Sequence, residues 1–318
     1  MTLRRESGRL GAAMGTEPDK AAALRELEAL VEGRVLRGEP LARHTTWGCG
    51  GAAELLIVPT GEGDLVRALD FCQARGLRWR VMGNGSNLLV NDAGVSGVVF
   101  KVAGALSELR FEGERAVVGA GLALGRLVAA AAGEGLGGLE WLAGIPGAVG
   151  GALAMNAGAH GHAIGGLVRR VRLWEAGAGV REVGQGEMLF GYRDSLLRRG
   201  GRVALAAELA LERADPAAIE ARIKELVERR RATQPAGRSA GSVFRNPPGK
   251  FAGALLEQAG LKGERIGEAE VSARHANFIL NRGRATAADI RALIDLARAR
   301  VREASGVELH PEVDIWED

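Results

Sequence analysis

Apolar residues recur at helical spacing at Leu24, Leu27 and Leu30, just after the Pro18-Asp19 pair, and predict an amphipathic helix behind a flexible tail of residues 1–18. From Ala53 the pattern changes. Leu55-Leu56-Ile57-Val58 is an unbroken apolar run of strand length, Asp64 to Arg75 regains helical spacing, and Arg78 to Met82 predicts a second strand. Together they make a strand-helix-strand unit. Val98 to Val102, Arg115 to Val118, Val168 to Trp174 and Val203 to Leu211 then predict short strands set apart by glycine, which is α+β texture. Asp215-Pro216 opens a helix that runs to about Arg231, with a capping side chain followed by proline at the first helical position, and a domain boundary is expected there. The last hundred residues predict a helix from Lys250 to Ala259, a strand from His275 to Leu280, a helix opened by the capping box Thr286-Ala287-Ala288-Asp289, and a terminal strand from Val307 to Trp316. No internal repeat interrupts this order.

Composition narrows the function classes. A length of 318 residues allows two or three domain cores. The unusual quantity is glycine, at 48 residues, which signals tight turns and places where backbone approaches something closely. A net charge of +3, with acidic residues interspersed along the chain, does not call for nucleic acid, and a small anionic ligand suits it better. The dense run Glu228-Arg229-Arg230-Arg231 reads as the solvated end of a helix. Cys49 and Cys72 form neither a disulfide framework nor a metal cluster, so no metal is expected and a reducing cytoplasm is. The N-terminus lacks an apolar signal core and no run of 18 uncharged apolar residues occurs, so membrane insertion is not expected.

Several segments could carry chemistry. Gly83-Asn84-Gly85-Ser86-Asn87 follows an apolar strand and precedes Leu88; it suits a phosphate nest or an ordinary hairpin turn. Gly144-Ile145-Pro146-Gly147-Ala148-Val149-Gly150-Gly151 and Asn156-Ala157-Gly158 offer almost no side chain, which fits a surface pressed against a flat or phosphorylated cofactor, or else a crossing of close-packed elements. Gly119-Ala120-Gly121 resembles a dinucleotide fingerprint, but the third glycine, Gly125, comes one place late, and we read the segment as a structural strand-to-helix turn. Three further clusters hold reactive groups: Gly191-Tyr192-Arg193-Asp194-Ser195, Gly241-Ser242-Val243-Phe244-Arg245-Asn246-Pro247, and Pro311-Glu312-Val313. Taken singly, Arg193 could pair with a carboxylate, Ser242 could cap a turn and Glu312 could face solvent.

Read in order with His44-Thr45-Thr46-Trp47, these segments resemble the UDP-N-acetylenolpyruvoylglucosamine reductase (MurB) family, and the match runs from about Leu41 to Asp318. The resemblance implies an α+β chain: a two-subdomain FAD-binding fold of the vanillyl-alcohol-oxidase/PCMH type, followed by a smaller α/β substrate-binding domain. With the boundary at 215 this gives 19–103 and 104–214 as the FAD-binding subdomains and 215–318 as the substrate domain. It implies tightly bound, non-covalent FAD, with NADPH as co-substrate and UDP-N-acetylglucosamine enolpyruvate as the group to be reduced. Gly83, Asn84, Gly85, Ser86, Asn87, Leu88, Ile145, Pro146, Gly147, Gly150 and Gly151 would wrap the FAD diphosphate and ribityl region, with Asn156 and Gly158 near the isoalloxazine. Tyr192-Arg193-Asp194-Ser195 runs through a short glycine turn into the Val203 strand with no inserted loop, which resembles the shorter, type II form.

The same resemblance assigns catalysis to Arg193, Ser242 and Glu312 and substrate contacts to Tyr192, Asn246, Lys250 and His275. The chemistry explains why such groups are needed. Hydride delivery to the terminal carbon of an enol ether leaves negative charge on the adjacent carbon, conjugated with the carboxylate, and a fixed guanidinium can hold it there. Glu312 helps only if it carries its proton in the reacting complex, and Ser242 would protonate the carbanionic carbon. His275 could equally be an ordinary packed histidine. Other readings are an FAD-dependent oxidase of the same flavin-binding superfamily and a non-catalytic flavin or nucleotide-sugar binder. A monomer or weak oligomer is expected.

Overall fold

The computed structural model describes residues 17–318, so residues 1–16 of the expected tail lie outside the described residues. Glu17–Leu30 is helical and buries Ala23, Leu24 and Leu27, leaving Leu30 exposed at the end of the apolar stripe. By proximity the described chain forms two discontinuous units, one of residues 17–37, 55–83 and 97–227, the other of 38–54, 84–96 and 228–318. These units cut across the contiguous partition expected from the sequence.

The first unit has two cores. In one, the helix Glu62–Ala74 lies between the strands Ala52–Val58 and Trp79–Met82 in chain order, and Leu55, Ile57, Leu65, Leu69, Cys72 and Phe100 are buried together with Leu24 and Leu27. The strand Val95–Lys101 lies between those two strands in the sheet and runs parallel to Trp79–Met82, with Trp79 opposite Val98. Asp64 ties the loops to this core. Burial alone would raise its carboxyl, but N–H groups of Glu32, Thr60 and Gly33 donate to it at 2.9–3.0 Å, and with Arg67 nearby its pKa is held below the ordinary value.

The other core lies on a five-stranded antiparallel sheet, in the order Gly179–Gly184, Val168–Glu175, Arg202–Ala210, Arg115–Gly119, Leu109–Glu112. The helices Leu124–Gly133 and Val149–Ala154 contribute Leu127, Val128, Val149 and Leu153 to it. The glycine turn before Leu124 is structural, as expected: a Cβ on Gly119 would stand 2.3 Å from the Leu106 carbonyl oxygen, and one on Gly121 2.0 Å from that of Val102. The helix Pro216–Thr233 starts where its cap predicted, yet its Leu226 is buried in this core, which draws residues 216–227 into the first unit.

The second unit is organised around fully buried Trp47. The indole N–H of Trp47 donates to the Ile279 carbonyl at 2.8 Å, and the Asn281 amide donates to the Trp47 carbonyl at 2.9 Å. Leu88–Val90 pairs in parallel with Asp314–Trp316. These links explain why 38–54 and 84–96 group with the end of the chain. The capping box appears as expected on the helix Ala287–Ser305, and Asp92 receives the next two N–H groups, of Ala287 and Ala288. The expected strand from His275 is shorter, Ile279–Asn281. Ser272 Oγ accepts the N–H groups of Arg274 and His275, and His275 Nδ1 accepts that of Asn277, so local turns replace the ladder up to Phe278. The terminal strand is also short, Asp314–Trp316, because residues 310–312 pair instead with 243–245. No helix among the described residues is long and apolar enough to cross a membrane.

Buried Glu270 joins this unit's small sheet to two arginines. The hydrogen bond from Arg282 at 2.5 Å, more than offsetting burial, and the contact with Arg265 hold its pKa below the ordinary carboxylate value. A depressed folded-state pKa stabilises the fold above the unfolded value of roughly 4.3, and that contribution is lost as pH falls through the folded value. The parent chain is therefore expected to lose thermal stability below about pH 4.3. Glu270→Gln should melt lower at neutral pH and lose less on acidification; an unchanged acid slope of the melting temperature would refute the assignment.

Candidate active site

In the first unit the glycine segments meet. A Cβ on Gly83 would stand 3.3 Å from the Ala148 side chain. Gly150 is spent on packing: its N–H donates to the Ala120 carbonyl at 2.7 Å, and a Cβ would press on Ala120 at 3.1 Å. Val149 N–H is likewise taken by Leu122. Gly151 is exposed with open space where a Cβ would lie, Gly147 has φ 142°, and Pro146 is exposed. The Gly147 carbonyl accepts the Leu124 N–H at 3.0 Å and the segment packs at 149–150, so the exposed Gly151 is where a ligand could come against the backbone.

Arg193 sits at the tip of a four-residue turn closed by two backbone bonds between Gly191 and Asp194, at 3.0 and 3.3 Å. Its φ of 54° lies in the left-handed region. Both terminal guanidinium nitrogens donate to the Gly158 carbonyl at 3.3 Å, and the guanidinium carbon lies 5.5 Å from the centre of the Tyr192 ring. Tyr192 itself is 57% exposed, an uncommon placement for the chain's one tyrosine. Asn156, also left-handed at φ 40°, donates to the Gly191 carbonyl at 2.9 Å and accepts the Gly165 N–H at 3.0 Å. The sequence reading gave Asn156 and Gly158 to the cofactor; their contacts here also brace the arginine turn.

In the second unit Ser242 and Glu312 come together. Val243 donates to the Asn277 carbonyl at 2.8 Å, and Val243's own carbonyl accepts the Glu312 N–H at 2.7 Å. Arg245 N–H bonds the His310 carbonyl, and Phe244 bridges to Pro311, so 243–245 and 310–312 run as a short antiparallel pair. On the other side the Asn277 amide both accepts from and donates to the Phe244 backbone, at 2.9 and 2.8 Å. Ser242 is half-buried, and among the described residues its hydroxyl has no hydrogen-bond partner. Glu312 is half-buried and is further fixed by Asn87, whose amide donates to its carbonyl at 3.2 Å while the Asn87 carbonyl accepts the Asp314 N–H.

Gly85 makes that loop possible. Its φ is 61°, its carbonyl accepts the Thr46 N–H at 3.1 Å, and a Cβ would stand 2.0 Å from the His44 carbonyl oxygen. Ser86 and Asn87 are half-buried, Leu88 is buried, and Asn84 is exposed. Asn246 caps the helix Ala252–Gln258 by accepting the Ala252 N–H at 2.9 Å, and Lys250 is exposed just before it. His275 is half-buried against Phe278, ring centres 5.0 Å apart. Burial pushes its pKa below the ordinary value, and Nδ1 accepts the Asn277 N–H, which leaves Nε2 as the donor of a neutral ring. Both cysteine thiols are buried and pushed up to about 12, so neither is a nucleophile at neutral pH. The residue that sequence reasoning missed is Asn277, which positions the Ser242 strand and stands in a segment with no spacing to mark it; Ser195 lies inside the arginine motif, but nothing in the sequence gives it a partner.

Residues 233–316 match the UDP-N-acetylenolpyruvoylglucosamine reductase C-terminal domain, and residues 53–183 match an FAD binding domain. A UDP-N-acetylenolpyruvoylglucosamine reductase of Heliobacterium modesticaldum is 46% identical over 288 residues, covering 90% of this chain and 92% of that protein. One from Alkalilimnicola ehrlichii is 48% identical over 285 residues, covering 89% and 95%. The crystal structure of the UDP-N-acetylenolpyruvylglucosamine reductase (MurB) of Thermus caldophilus aligns at a TM-score of 0.77 and 38% identity, over 90% of this chain and 99% of that one. A mixed α and β chain with an FAD-binding part followed by the matched C-terminal domain is therefore the architecture.

Proposed function

The chain belongs to the UDP-N-acetylenolpyruvoylglucosamine reductase family, and on that footing we propose that it reduces UDP-N-acetylglucosamine enolpyruvate to UDP-N-acetylmuramate for peptidoglycan, with NADPH as electron donor. The reaction belongs in the cytoplasm, in keeping with two unpaired, buried cysteines. The residues fit FAD: the matched domain contains a left-handed Gly147, an exposed Gly151 with nothing where a Cβ would lie, and a Gly85 that admits no side chain. Bound FAD would supply the redox step, accepting a hydride from NADPH and passing it to the terminal carbon of the enolpyruvyl group. Gly83 to Leu88, Ile145 to Gly147 and Gly151 would hold it.

Arg193 binds the substrate carboxylate through its planar guanidinium and offsets the charge that develops when the terminal carbon is reduced. Glu312, carrying its proton, offers a hydrogen bond to the developing charge and adds no opposing charge. Ser242 delivers a proton to the carbon next to the carboxylate, completing addition across the double bond. Lys250 approaches the diphosphate, while Tyr192, Asn246 and His275 contact the rest of the substrate. The observation that carries this reading is the backbone pairing that fixes Glu312 beside the Ser242 segment, with the Ser242 hydroxyl unpartnered among the described residues.

The purified protein should be yellow, bleach on addition of NADPH under nitrogen, and regain colour when UDP-N-acetylglucosamine enolpyruvate is added. Colour that returns only with oxygen would replace the reductase reading with an oxidase.

A further inference from the structure

Two segments of the first unit, 154–158 and 191–195, are tied together by side chains at three points. Asn156 donates to the Gly191 carbonyl at 2.9 Å, Ser195 Oγ donates to the Ala154 carbonyl at 2.9 Å, and the Arg193 guanidinium reaches the Gly158 carbonyl at 3.3 Å. Ser195 has 0% exposure, so its hydroxyl has no solvent alternative to this bond. The two ties bracket the arginine, one at Gly191 and one at Ser195, and the backbone bonds between Gly191 and Asp194 close the turn between them. Asn156 and Arg193 are two of only four non-glycine residues with positive φ among those described. Such conformations persist where the surroundings over-determine them, and they concentrate where a side chain has to be aimed. A turn that served stability alone would be met as well by glycine at 193, with no guanidinium to hold.

We propose that Ser195 is a positioning residue for Arg193, with Asn156 bracing the other side of the same turn: Ser195 fixes the turn that presents the guanidinium and affects the reaction only through it. The proposal rests on the role given to Arg193 above. It concerns orientation, because a displacement of the order of 1 Å in a catalytic group costs about 10²-fold in rate. Gly165 reinforces the brace. Its N–H donates to Asn156 Oδ1, its carbonyl accepts from the Gln185 amide at 2.7 Å, and a Cβ there would strike the Phe190 ring at 2.7 Å.

The test is a double-mutant cycle on the full FAD-loaded chain, comparing Ser195→Ala, Arg193→Ala and the pair. Ser195→Ala is expected to lower kcat for the enolpyruvyl sugar by about 10- to 100-fold. The pair should then be no slower than Arg193→Ala alone. Ser195→Cys, which keeps a weak donor of similar size, should lie between the parent and Ser195→Ala and stands in if Ser195→Ala fails to fold. The flavin absorbance spectrum, which a displaced arginine turn does not require to change, should match that of the parent in Ser195→Ala. Losses that multiply in the pair would overturn the proposal, since Ser195 would then act independently of Arg193. An altered flavin spectrum in Ser195→Ala would overturn it by relocating the effect to the cofactor. Full activity in Arg193→Ala would reject the role of Arg193 and the brace with it, an outcome visible in that single variant.

Discussion

Arg193→Ala is expected to slow reduction of the enolpyruvyl sugar by on the order of 10³-fold, about 4 kcal/mol of lost transition-state stabilisation. The size follows from the charge to be held. Adding hydride to the terminal carbon places an electron pair on a carbon conjugated with an existing carboxylate, so two negative charges share one group. A neutral donor lost from such a site typically costs 10²- to 10³-fold, and a preorganised cation belongs at the upper end. The preorganisation is visible: the guanidinium is held by the Gly158 carbonyl, and its backbone stands at a left-handed φ of 54°. Arg193→Lys should recover little, because an ammonium cannot make the two-point planar contact and would lose the Gly158 geometry. Steady-state kcat, with stopped-flow return of the flavin absorbance on mixing with substrate, measures the effect. If bleaching by NADPH slows as much as colour return, Arg193 serves NADPH binding as much as the substrate carboxylate.

Much of this was legible in the sequence, for identifiable reasons. Glu17–Leu30, Glu62–Ala74, Pro216–Thr233 and Ala287–Ser305 carry their own helical spacing or caps, and such signals are local. The Arg34–Pro40 strand has no clean alternation to mark it, and Leu109–Glu112 alternates as Leu-Arg-Phe-Glu but over only four residues, too short a run to declare a strand. The stretch before Ile279 was read as strand from its composition. It turns instead because Ser272, His275 and Asn277 spend their polar groups on neighbouring backbone. Contiguous domains were expected, yet 38–54 and 84–96 group with the C-terminal residues. The bonds responsible, Trp47 with Ile279 and Leu88–Val90 with Asp314–Trp316, span more than 200 residues of sequence, and no local pattern announces them. At the site the motifs marked the reactive residues but not what aims them: Ser195 and Asn87 sit inside quoted motifs and Asn277 outside any, and the work of all three is defined by which carbonyl lies opposite.

Ser242→Ala and Glu312→Gln should fail in different ways, and the contrast separates proton delivery from charge stabilisation. Ser242→Ala removes a hydroxyl whose backbone is fixed by bonds at Val243 to Asn277 and Glu312, so the strand pair should survive the change. Bleaching by NADPH should proceed as in the parent chain. Colour return with UDP-N-acetylglucosamine enolpyruvate should slow by about 10²- to 10⁴-fold, the usual worth of a positioned general acid. A serine hydroxyl is a weak acid, but the carbon it serves is a strong base once hydride has arrived, so the transfer runs downhill. Glu312→Gln keeps a neutral donor in the same strand. If Glu312 acts as a neutral hydrogen-bond donor, this variant should retain more activity than Ser242→Ala, and Glu312→Ala, which leaves no donor, should be slower than Glu312→Gln. The measurement is kcat for the parent and the variants, with the two half-reactions followed separately. Glu312→Gln as slow as Glu312→Ala would remove the neutral donor, and equal slowing of both half-reactions in Ser242→Ala would remove the hydroxyl from proton delivery.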